Sequence, residues 1–135
     1  MGRSILAVIA GVVFGGILVW AVEKIGHAVY PLPEGFDPTD MEQLKVIVQQ
    51  LPVGALLFVL LAWAVGSLGG GALAAWLARR AGVNHALIVG GILMLFSIIN
   101  MFMIPHPTWF WIAGLLVFLP AAYLGARIAE RTFNA

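Results

Sequence analysis

Four apolar runs, each about twenty residues long and nearly free of charge, leave this chain a single solvent in which to fold. At 1.5 Å of rise per residue, a helix of that length covers a hydrocarbon core of roughly 30 Å. A chain of 135 residues that is 62% hydrophobic and 10% charged has too little interior to hide such an excess from water. Its mean hydropathy of +1.04 agrees. The expected fold is therefore an all-α integral membrane protein: one membrane domain, residues 1–135, built as a four-transmembrane-helix bundle. The spans fall at about residues 4–24, 52–78, 84–103 and 108–128.

The first run follows Arg3 and has the polarity of a secretory signal. Its apolar stretch of about 19 residues is longer than a usual signal core, and WAVEK offers no small-x-small cleavage site, so it is read as a retained span. Pro31, Pro33, Gly35 and Pro38 then mark a turn-rich connection. TDMEQLKVIVQQL follows, with Thr39 or Asp40 as N-cap and Met41, Leu44, Ile47, Val48 and Leu51 at helical spacing. Too short and too polar to span, residues 39–51 are predicted to form an amphipathic helix lying on the membrane surface or on the other helices. Pro52 suits the first turn of the second span, and Asn84 is the expected N-cap of the third.

Small residues recur at helical spacing. Gly11 and Gly15 share one face of the first span, and Gly66, Gly70 and Ala74 share one face of the second. Such faces let helix backbones approach closely. Self-association is expected first through Gly66, Gly70 and Ala74, then through Gly11 and Gly15. An echo links Gly15-Gly16-Ile17-Leu18 to Gly90-Gly91-Ile92-Leu93, and Pro52 to Pro107, as in a parallel repeat about an axis along the membrane normal.

Charge sets the orientation. Arg3, Arg79, Arg80, Arg127 and Arg131 fall on one side, against Lys24 and Lys45 on the other. The positive-inside rule places both termini in the cytoplasm, in what is read as a bacterial inner membrane. A formal net charge of +1 gives no electrostatic case for nucleic acid. The absence of cysteine excludes disulfides, thiol redox chemistry and thiolate metal sites. The glycine run at 69–71 is no phosphate loop, since no Lys-Ser/Thr follows it. No cofactor is expected, no metal site is assigned, and the partners expected are membrane lipids and a second copy or another membrane protein.

The few expensive polar groups gather away from the arginines. Glu23 and His27 are one helical turn apart, His106 lies in the connection before the fourth span, and Asn100 is near the end of the third. Together they form the candidate outer-face polar site, a set of residue types able to bind a divalent cation or relay a proton. The alternative is plain anchoring, with Glu23, Lys24 and His27 pairing at the interface. Ser97 and Asn100, three apart, are expected on one face as interhelical hydrogen-bonding groups. His85 is read as a polar helix start. Ser4, Ser67 and Ser97 have no histidine or acid at a spacing that makes a nucleophile.

Size and helix count are similar to those of small multidrug-resistance transporters, which carry a carboxylate inside the first span. Here Glu23 lies at the span's end and nothing acidic is deeper, so that resemblance is set aside and no family is assigned. Three functions remain as expectations. The first is a non-enzymatic protein acting by helix–helix association, with itself or as an accessory subunit of a larger complex. The second is a small transporter or channel whose path passes Asn100 and the glycine-rich second span. The third is a membrane enzyme, or a metal- or lipid-binding protein, using Glu23, His27 and His106.

Overall fold

A computed structural model describes residues 2–31, 39–50, 52–103 and 107–134. The described residues form five helices and no strand: α1 (Gly2–Val29), α2 (Met41–Gln50), α3 (Val53–Ala78), α4 (Gly82–Met103) and α5 (Thr108–Asn134). All but α2 are long and apolar enough to cross a bilayer.

Polar residues prolong two helices beyond the hydrocarbon; for α1 this is the end expected from Pro31, which stops the helix after His27 or Tyr30. α1 continues past Lys24 to Val29, and the Tyr30 N–H donates to the Gly26 carbonyl at 2.8 Å. α5 runs through Pro120 and on past Ile128, carrying Arg127, Glu130 and Arg131 as helical residues. α4 begins at Gly82, so Asn84 sits inside the first turn and is not its cap. Gly82 is packed tightly there: a Cβ on it would lie 3.0 Å from the Ala75 Cβ.

α3 and α5 open with the same device. Pro52, at φ −66° and ψ 156°, precedes α3 as its N-cap, one position outside the turn expected for it. Its carbonyl accepts from the N–H groups of Ala55 and Leu56 at 3.0 and 3.4 Å. The Pro107 carbonyl accepts from Phe110 and Trp111 at 3.0 and 3.2 Å in the same way. Proline lacks a donor and is pre-set in φ, so it suits a position where no N–H is needed.

The link from α3 to α4 is short and strained. Arg79 (φ 66°) and Ala81 (φ 51°) both take positive φ, costly for residues with a Cβ by about 1–2 kcal/mol each. The Arg79 N–H donates to the Ala75 carbonyl at 3.2 Å. His85, one turn into α4, donates from Nδ1 to the Ala81 carbonyl at 2.8 Å, so it does more than start a helix.

α2 is capped by Asp40, whose Oδ1 accepts from the N–H groups of Glu42 (3.1 Å) and Gln43 (3.4 Å). Among the described residues α2 packs against none of the four spans. Leu51, expected on its apolar face, falls outside the described residues.

The four long helices form a lozenge. α3 and α4 each touch all three others, while α1 and α5 occupy opposite corners and do not meet. Two spans per half related by a two-fold along the membrane normal would give α1–α5 the contact that α3–α4 has, so the repeat is not a symmetry of the bundle. Locally the echo holds. A Cβ on Gly15 would meet the next span at the Gly66 carbonyl (2.8 Å), and one on Gly90 would meet Ala122 Cβ (2.9 Å). Gly16 and Gly91, their immediate neighbours, face open space.

Packing is graded along the bundle axis. Towards the arginine-bearing end the core is alanine: Ala75, Ala86, Ala122, Ala126 and Ala129. In the opposite half Trp63 meets Phe110 edge to face and Phe118 at a tilt, with ring centroids 5.1 and 5.2 Å away, and rests on Gly114. Between these lie close backbone contacts of α1 with α3. Cβ atoms on Gly11 and Gly70 would reach each other's carbonyl oxygens at 2.7 and 2.5 Å, and the Ala74 Cβ is 2.9 Å from the Gly11 position. The face formed by Gly66, Gly70 and Ala74 is thus occupied by α1 of the same chain. Neither this face nor the Gly11 and Gly15 face against it is free for a second copy, which corrects both surfaces expected for self-association.

Candidate functional site

At the end away from the arginines, beyond the alanine core, a cleft opens between α1 and α3. Its walls are two matched helical stripes. α1 supplies Glu23, Gly26, His27 and Tyr30, at i, i+3, i+4 and i+7; α3 supplies Ala55, Phe58 and Val59. The space between them is about 60 Å³, the room for a water molecule or two or a small head group.

Gly26 sets the width. It is buried against Phe58, whose Cβ would lie 3.0 Å from a Cβ at that position. Tyr30 closes the top of the cleft, its hydroxyl lying against Gly54 in the first turn of α3. The Tyr30 and Phe58 rings meet edge to face, 6.1 Å between centroids at 69°. Glu23 is half-buried in this setting and His27 is exposed.

Glu23 has neither a hydrogen bond nor an ion pair among the described residues. The pairing expected with its neighbours does not form. Lys24 instead holds its ammonium 5.3 Å from the centroid of the Trp20 ring, one turn earlier on α1. Glu23 and His27 line one cleft without an ion-pair contact, and His106 lies outside the described residues.

Asn100 is not part of the cleft. It is exposed on α4, while Ser97, one turn before it, is 8% exposed. Three residues fall about 60° short of a full turn, so the edge of the packed face passes between them. Neither makes the interhelical hydrogen bond expected of it among the described residues. Ser67 is fully buried at the centre of α3, and its hydroxyl has no hydrogen-bond partner among the described residues.

The opposite end of the bundle gathers the arginines. The Arg3 Nε–H donates to the Leu77 carbonyl at 2.8 Å, satisfying one of the open carbonyls in the last turn of α3. The Arg79 guanidinium lies 5.3 Å from the Trp76 ring centroid, and Arg127 pairs with Glu130 at 3.4 Å. Glu130 also lies near the N-terminus of α4, 3.5 Å from the Cβ position of Gly82, where a negative charge is favoured.

Chemically, the cleft offers one carboxylate, one imidazole, one phenol and an aromatic wall. No three histidine or acidic side chains come together as a metal site among the described residues. Of the lining, Glu23 and His27 were predicted. Tyr30 was readable as the i+7 member of their stripe, whereas Phe58 and Gly26 carried no signal of their own in apolar sequence.

The fold and site define an all-helical integral membrane bundle with, at one end, a mostly apolar cleft that holds one carboxylate. No protein-family model, no curated protein and no solved structure matches the chain.

Proposed function

We propose that this protein works by helix–helix association in the membrane, with itself, and that both termini face the cytoplasm of a bacterial cell. The observation that carries the reading is the sorting of its glycines. Every described glycine inside a span has a neighbour at its Cβ position except Gly16 and Gly91, beyond which there is open space, as there is at the helix start, Gly2. Glycine inside a helix costs about 1 kcal/mol relative to alanine, so a lipid-facing glycine earns nothing unless another helix approaches it. The orientation rests on Arg3, Arg79, Arg80, Arg127 and Arg131 against Lys24 and Lys45. A transport path through the glycine-rich half of α3 is the weaker reading, because Gly66, Gly70 and Gly71 there meet α1 and α5 backbone to backbone.

The test is stoichiometry in liposomes under dilution, counted by single-molecule photobleaching. Association predicts dimers or larger assemblies that fall to monomers in Gly16→Leu or Gly91→Leu, with helical content unchanged. Monomers at every dilution for the native chain would overturn it.

A further inference from the structure

We propose that the α1–α3 cleft is a binding site for an alkylammonium group. The ion would sit against the Glu23 carboxylate with the Phe58 and Tyr30 rings beside it. The site lies within one chain, so the proposal stands apart from self-association.

Three observations converge on that ligand class. Glu23 is a half-buried carboxylate that makes no hydrogen bond or ion pair among the described residues, although Lys24 is its neighbour in sequence. A carboxylate withdrawn from water in this way is strongly stabilised by an opposite charge. Two aromatic rings fixed edge to face line the same cleft, and ring faces attract ammonium ions, more so when desolvated. The volume, about 60 Å³, admits an ammonium head and excludes a bulky ring system.

A metal ion fits less well. Divalent cations need four to eight oxygen or nitrogen ligands, and the lining holds Glu23, His27 and the Tyr30 phenol among carbon atoms. An ammonium ion needs one carboxylate and tolerates carbon on its other sides. His27, exposed at the rim one turn from Glu23, is placed to meet whatever the ammonium is attached to. Such a group reaches the cleft either from the head of an aminophospholipid or from a free amine in water.

The experiment follows the Glu23 side-chain carboxyl ¹³C resonance of glutamate-labelled protein in phosphatidylglycerol nanodiscs, assigned with Glu23→Gln. One arm titrates propylammonium chloride; the other replaces half the lipid with phosphatidylethanolamine and adds no amine. The expected result is a saturable shift in at least one arm, absent with equal sodium chloride. A shift with lipid alone identifies a head-group site, and a shift with propylammonium alone a site for soluble amines. Phe58→Leu should weaken the response about threefold while leaving the helical spectrum unchanged. No saturable shift in either arm, an equal shift with sodium, or full retention of affinity in Phe58→Leu would overturn the proposal.

Discussion

Gly15 of α1 and Gly66 of α3 meet with no side chain between them: a Cβ on either would lie 2.8 or 2.7 Å from the other's carbonyl oxygen. Backbone cannot retreat as a flexible side chain can, so this contact sets the distance between the two helices. Gly15→Leu should destabilise the bundle by about 2 kcal/mol through overpacking. Gly16→Leu, one residue along, should leave the monomer's stability within about 0.5 kcal/mol, because nothing occupies that position. Unfolding by SDS titration from mixed micelles compares the two; equal losses would show that the pairing is not the determining contact.

Trp63 fills the aromatic half of the core against Phe110, Phe118 and Gly114. In a soluble core its truncation to alanine would cost about 3–5 kcal/mol. Lipid is as apolar as the core, so the transfer part of that cost largely vanishes and packing remains. Trp63→Ala should therefore lose about 2 kcal/mol in the same titration. A loss above 4 kcal/mol would contradict this view of what holds the bundle together.

Ala81 is exposed and held at φ 51°. Glycine adopts that conformation without a Cβ clash, and the Ala81 carbonyl that receives the His85 Nδ1–H is retained in the variant. Ala81→Gly should raise stability by about 0.5–1 kcal/mol, the gain from relieved strain exceeding the added freedom of the unfolded chain. A decrease would mean that the turn relaxes without strain.

The chain has no cysteine, so a single introduced thiol reports its own side of the membrane. Gly2→Cys should react with an impermeant maleimide only after the cells are opened. Thr39→Cys, in the connection before α2, should react on intact cells. The reverse pattern would invert the proposed orientation.

What the sequence made legible follows from what a bilayer demands. Span number and length are dictated by hydrocarbon thickness, and α1, α3, α4 and α5 appear close to where hydropathy puts them. Helix facing is another matter. Spacing from Gly11 marks Gly15 over Gly16, but nothing in the sequence separates Gly90 from Gly91; which of those two is packed depends on a neighbour far along the chain. Because lipid and core are equally apolar, the spans carry no polar stripe from which to orient them, and Asn100 was placed inward for want of one. In the cleft, Glu23 and His27 were readable by type and spacing. Phe58 was one apolar residue among many until α1 came to lie across it.

The link between α3 and α4 consists of Arg79, Arg80 and Ala81, with the Arg79 N–H still bonded back to α3. So short a connection bears on biogenesis. Once α3 has crossed, α4 has no slack in which to wait at the surface, and the two must partition into the bilayer as a helical hairpin. The paired arginines at its bend resist crossing and stay on the side of entry, in keeping with the proposed orientation.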